Sequence, residues 1–179
     1  RLPAGIDALV AFEAYDRTPL PQWVPALHDV PNAVVIGDTH TGRLAFQRAF
    51  AAQWSHLFLQ FRPADLAAFE HPSKHWLPPA ADPEVWHPLL PVGLEGGEAE
   101  YDVCLVASTD PRVHRERVEL VETLQEAGLS VHVAHVFGAR ANALYGRSRV
   151  VLNRSLAGDV NLRVPEVLLA GACLVTDEV

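Results

Sequence analysis

The sequence predicts an α/β protein built of two parallel-sheet units. Three observations carry this. Short apolar runs rich in β-branched and aromatic residues alternate with stretches of helical period, the pattern of βαβ units. A tract rich in Pro, Gly and acids, residues 78–100, interrupts the alternation, which restarts at Tyr101. At 179 residues, 49% hydrophobic and 20% charged, the chain can bury a core in one unit or in two small ones.

The elements follow in order. Residues 8–12, 33–36 and 56–61 read as strands. Between the second and third, TGRLAFQRAFAAQW places Leu44, Ala45, Ala49 and Ala52 on one face of a helix. RPADLAAFEH reads as a short helix with Pro63 near its first turn, and KHWLPP as a brief strand. In the connector, Trp86 and Leu89–Leu90 predict a segment that packs down rather than floats.

YDVCLVAS opens the second series as a strand. TDPRVHRERVELVETLQEAG is the clearest helix. It has Thr109 or Asp110 as N-cap, Pro111 at the first helical position, and a stripe of Val113, Leu120, Val121, Leu124 and Ala127 before the stop at Gly128. LSVHVAHVF is a strand, GARANALYGRS a short helix and RVVLN a strand. A helix then starts near Asn161, tolerates Pro165 in its first turn, stops at Gly171 and feeds a strand at 172–175. The expected division is residues 1–90, including the first part of the connector, and residues 91–179.

Bulk properties exclude several classes. With 14 Lys+Arg against 22 Asp+Glu the net charge is −8, so the basic face of a nucleic-acid binder is missing. No apolar run reaches a membrane span and no signal-peptide pattern opens the chain. Cys104 and Cys173 lie in strand-like segments, which predicts reduced core residues and a cytoplasmic setting. The chain begins at Arg1, has no Met and halts just after a strand, so a piece of a longer protein is expected. The nine histidines space poorly for a metal: Pro72 separates His71 from His75, and His132 and His135 fall on opposite faces of a strand. Neither a Gly-rich phosphate loop nor a G-x-S-x-G elbow occurs.

Two polar loops follow strand ends, where open α/β sheets bind ligands. In GDTHTG, residues 37–42, Asp38 and His40 can orient one another or act as general base; the plainer alternative is that Asp38 or Thr39 caps the next helix. In LNRSLAGDVNLRVPE, Asn153, Arg154, Ser155, Gly158, Asp159, Asn161, Arg163 and Glu166 crowd one strand-to-helix crossing, a composition suited to a diphosphate and a sugar hydroxyl, the plainer alternative being an ordinary surface loop. For Glu166 the plainer alternative is a solvated carboxylate complementing the helix dipole.

The stretch SRVVLNRSLAGDVNLRVPEVLLAGACLVTDEV resembles the nucleotide-binding segment of CgeB-like, spore-maturation-type glycosyltransferases, relatives of the large retaining GT-B group. Asn153, Asn161, Arg163, Glu166, Gly171 and Asp177 fall on its pattern. GDTHTG resembles the Asp-x-His loop of the amino-terminal half, and HWLPPAADPEVWHP the crossover into the donor domain. Pro165 stands where the pattern has Phe, and Gly158, with Asp159 adjacent, where the broader group has a second glutamate.

The resemblance implies two Rossmann-like units of GT-B type, truncated at one or both ends. It implies transfer of a sugar from a nucleotide-diphosphate donor bound by Asn153, Asn161, Arg163 and Glu166, with Asp38 and His40 toward an unidentified acceptor. It implies no metal and no further cofactor. The rival expectation is a non-catalytic α/β module that binds nucleotide sugars or a partner.

Overall fold

A computed structural model describes residues 6–12, 30–39, 42–89, 99–155 and 158–178. The chain divides into two compact units, Arg1–Pro78 and Pro79–Val179.

The first unit holds β1 (Leu9–Phe12), β2 (Asn32–Ile36), α1 (Leu44–Ala51), β3 (His56–Leu59), a 3₁₀ helix (Pro63–Ala68) and β4 (Lys74–Trp76). Its strands are all parallel in the order β1-β2-β3-β4. Every residue of β2 is buried, as expected of an inner parallel strand. Val34, Ile36, Leu57 and Leu59 meet Ala51, Trp54 and Phe69 in one core. RPADLAAFEH, expected as a helix, is a 3₁₀ turn instead. Pro63 opens it, no side chain caps it, and Phe69 is already extended, so the six residues close only i→i+3 bonds such as Asp65 N–H to Arg62 C=O, 3.1 Å.

The second unit holds β5 (Tyr101–Val106), α2 (Arg115–Glu126), β6 (Val131–Ala134), α3 (Ala139–Tyr145), β7 (Ser148–Asn153), α4 (Arg163–Leu169) and β8 (Leu174–Thr176). These strands are also all parallel, in the order β6-β5-β7-β8. Side chains alternate across β5 as the pleat requires. Val103, Leu105 and Ala107 join Val121 of α2, whereas Cys104 and Val106 join Ala141 and Tyr145 of α3 and Val167 of α4. Helices therefore cover both faces, and each unit is a Rossmann-like parallel-sheet unit.

Two expectations change in this unit. The helix expected from Pro111 starts at Arg115, because Asp110 closes a separate turn: its carboxylate accepts from Arg112 N–H at 3.0 Å and its carbonyl from His114 N–H at 2.7 Å. Cys173 is exposed rather than core, since it lies just before the edge strand β8; both cysteines are free thiols. By its contacts the chain divides at 78/79. Trp86 stacks on Tyr145 with centroids 5.6 Å apart, and Asn142 donates to the His87 carbonyl at 3.0 Å, so the connector's first part belongs to the second core.

Gly128 and Gly171 end α2 and α4 at φ of 84° and 69°, which side chains rarely adopt. At each, the next residue's N–H returns to a carbonyl five residues back: Leu129 to Leu124 and Ala172 to Val167, both at 3.2 Å. At Gly171 a Cβ would also meet Pro88 at 3.2 Å. Among the described residues, no helix is long and apolar enough to cross a membrane.

Candidate functional site

In the second sheet the first connection, from β5 to β6, runs to one side, and the next crosses back over β5 to β7. The order therefore reverses between β5 and β7, and ligands of open α/β sheets sit outside the carboxyl ends of strands at such a point. The segments leaving those ends are Ala107–Ser108 and Arg154–Ser155.

Asn153, the last residue of β7, is 1% exposed and anchors the site. Its Nδ2 donates to Thr176 Oγ1 on β8 at 3.0 Å. Its Oδ1 accepts from Asn161 Nδ2 at 3.1 Å and from Arg163 Nη1 at 3.2 Å. Asn161 in turn accepts the Arg163 backbone N–H at 3.0 Å, closing the turn into α4. Three of the four residues expected to bind the donor are thus joined in one network.

Glu166, the fourth, lies half-buried in the first turn of α4. Its carboxylate makes no hydrogen bond or ion pair with a described residue. Burial pushes its pKa up from the ordinary value, with the Arg163 charge opposing. With α4 only seven residues long, side chains rather than its dipole carry the charge here.

Residues other than these four complete the site. Asp177, following β8, accepts from Ser155 N–H at 2.9 Å, from the Ser155 hydroxyl, and from Arg154 Nη1 at 3.1 Å. Burial acts to raise its pKa, but these hydrogen bonds and the Arg154 charge outweigh it and hold the carboxyl below its usual range. Arg154 also pairs with Glu116 of α2. Arg117, one residue on, donates from Nε to the Arg154 carbonyl at 2.8 Å and from Nη1 to the Ser108 carbonyl at 3.3 Å. Burial lowers its pKa, and the like charge of Arg163 lowers it further, against Asp159 and Asp177. Its signal was present in the sequence. Position 117 lies on the same helical stripe as Val113, Leu120, Val121 and Leu124, so a cation stands where an apolar residue is expected.

In the second unit the buried side-chain atoms without a hydrogen-bond partner among the described residues are His114 Nδ1, Asn142 Oδ1, Asp159 Oδ1, Arg163 Nε and the Tyr145 hydroxyl; Trp54 Nε1 of the first unit is in the same state. The Tyr145 hydroxyl has its pKa pushed up to about 12, mainly by burial. Buried polar groups are normally paired, so Arg163 Nε, on the guanidinium that already bonds Asn153, has hydrogen-bonding capacity left over.

The first unit offers less. The Asp38 carbonyl accepts from buried Gln47 Nε2 at 2.9 Å, and the buried Thr39 hydroxyl donates to Asp65. Neither Asp38 nor Thr39 caps α1, which begins after Arg43 with no side-chain cap. His40 lies outside the described residues. A cleft of about 440 Å³ in this unit, lined by Arg48, Ala52, Phe69, Glu70 and His71 among others, includes no expected site residue. His71 is structural there, bonded to the Trp54 carbonyl at 2.9 Å and the Ser73 N–H at 3.1 Å. Among the described residues no group of three or more His, Cys, Asp or Glu could hold a metal ion.

Residues 108–179, which contain this whole network, match a family model described as glycosyl transferase-like. The match makes this part of the chain similar to glycosyltransferases and supports sugar transfer as its general class of reaction. No curated protein and no solved structure matches the chain.

Proposed function

We propose that residues 79–179 hold a nucleotide-diphosphate sugar at the carboxyl ends of β5 and β7, and that the chain transfers the sugar to an acceptor hydroxyl, as CgeB-like enzymes of GT-B type do. The observation that carries this reading is the Asn153–Asn161–Arg163 network beside a half-buried Glu166 carboxylate that makes no hydrogen bond with a described residue, at the point where strand order reverses. Glu166 accepts from the vicinal ribose hydroxyls, since charge-assisted bonds of this kind are among the strongest. Arg163 faces the diphosphate. As the bond between the anomeric carbon and the diphosphate oxygen breaks, its electron pair leaves with the nucleoside diphosphate, and the guanidinium compensates that charge. The acceptor oxygen forms the new bond to the anomeric carbon and gives up its proton, for which Asp38 and His40 of the first unit are the proposed acceptors.

The donor set needs no metal and no further cofactor. The chain's two free thiols, Cys104 and Cys173, suit a reducing, cytoplasmic compartment. Titration with UDP, GDP and their sugars, followed by a donor-hydrolysis assay, tests the reading. Binding with hydrolysis is expected. Binding without hydrolysis returns the chain to a non-catalytic nucleotide-sugar module, and absence of binding overturns both.

A further inference from the structure

Arg117 occupies a position on α2 where the apolar stripe demands packing, yet its guanidinium reaches past the helix to two backbone carbonyls. Those carbonyls, of Ser108 and Arg154, belong to the segments leaving β5 and β7. The two strands are registered at Tyr101↔Ser148, Val103↔Val150 and Cys104↔Val151. Beyond that ladder they no longer satisfy one another, and their carbonyls must find other donors. A planar fork with five N–H groups serves two separated acceptors at once; an ammonium, a point charge on a flexible stem, does not hold two to a fixed spacing. The side chain is also surrounded by the charges of the site, Arg163 and Arg154 of like sign, Asp159 and Asp177 of opposite sign.

We propose that Arg117 is a positioning residue, a bracket from α2 that fixes the spacing between the chain segments leaving β5 and β7 and so holds open the crevice where strand order reverses. The bracket sets where Ser155 and Asp177 stand, because Arg154, whose carbonyl it holds, is bonded through its own side chain to Asp177. Its consequence for ligand affinity rests on the donor-site reading; the bracket itself does not.

The test uses the whole chain, labelled with ¹⁵N, as wild type, Arg117→Lys and Arg117→Gln. Amide hydrogen exchange at residues 108–110 and 154–155 is expected to quicken about tenfold in both variants, as loss of a single hydrogen bond implies, with β2 unchanged. UDP affinity is expected to fall about tenfold in both. With Arg117→Ala, millimolar methylguanidinium is expected to restore UDP affinity, and ammonium is not. Exchange at the strand ends that stays at the wild-type rate in Arg117→Lys would overturn the bracket, because a point charge would then suffice. Failure of methylguanidinium to restore affinity in a variant that binds UDP weakly would overturn it equally. Should wild type bind neither UDP nor GDP, the donor-site reading falls, and the bracket is judged on the exchange rates alone.

Discussion

Two four-stranded parallel sheets of similar composition lie in one chain, and they differ in the order of their strands. The first proceeds β1-β2-β3-β4 without reversal among its described strands, whereas the second reverses between β5 and β7. Where the order never reverses, successive crossovers of one hand cover the same side, and no crevice opens between neighbouring strand ends. Where it reverses, the chain leaves adjacent strands in opposite directions. The polar inventory follows this difference. The loop after β2 is tied down by the buried Gln47 and Thr39, while the loop after β7 gathers Asn153, Arg154, Asn161 and Arg163 with Arg117 of α2. Topology, more than loop composition, separates a fastened strand end from one equipped for a ligand.

The comparison breaks most visibly at Asn153. Replacing it with Leu keeps the volume but strands Thr176, Asn161 and Arg163, each of which bonds to its side chain. Thr176 is exposed and Asn161 and Arg163 are half-buried, so a loss of about 2 kcal/mol is expected, at about 0.5–1.5 kcal/mol for each of the three hydrogen bonds. Denaturant unfolding checks it, and nucleotide binding should vanish alongside. An Asn153→Leu chain as stable as wild type would show that the network is ornamental.

Arg163→Ala comes next. It removes the guanidinium but leaves the backbone N–H that Asn161 caps, so the turn into α4 should persist. UDP affinity is expected to fall about a hundredfold, near 2.7 kcal/mol, measured by calorimetric titration. Thr39→Val, in the other unit, sharpens the contrast. It deletes the bond to Asp65 and should cost about 1.5 kcal/mol of stability while leaving UDP affinity where it was. Any change in affinity there would mean that the two strand ends are not independent.

Much of this contrast was legible in the sequence, and the reason is chain distance. Asn153, Asn161 and Arg163 flank one strand-to-helix crossing, so their meeting follows from the crossing itself. Asp177 and Arg117 reach the same place from β8 and α2, and only the strand order brings them there. Arg117 betrayed itself by sitting on an apolar stripe, but nothing local says which carbonyls it would hold. The start of α2 was misplaced because Asp110 followed by Pro111 is equally good at opening a helix and at closing a turn. Likewise Trp86 looked like part of a connector, since its partner Tyr145 lies far along the chain.

Glu166 yields the smallest and most discriminating prediction, because Asp177 of the same unit titrates with the opposite sign. Burial raises the Glu166 pKa above the ordinary 4.5, so the protonated form favours the fold. Its contribution is present below about 4.5 and is lost as pH rises through the folded value. Hydrogen bonds hold Asp177 below the ordinary 3.8, so its contribution is present above that value and is lost as pH falls through the folded one. Glu166→Gln keeps the shape and removes the charge. Melting temperature at neutral pH should then stay level or rise slightly, while Asp177→Asn lowers it. UDP affinity should nevertheless drop about tenfold in Glu166→Gln, near 1.4 kcal/mol, because an amide offers the ribose one acceptor where the carboxylate offers two. A carboxylate kept at a cost in desolvation, and missed only when ligand is present, belongs to binding. Were Glu166→Gln instead to melt many degrees lower with affinity intact, the residue would belong to the fold, and the difference between the two strand ends would lose its chemical meaning.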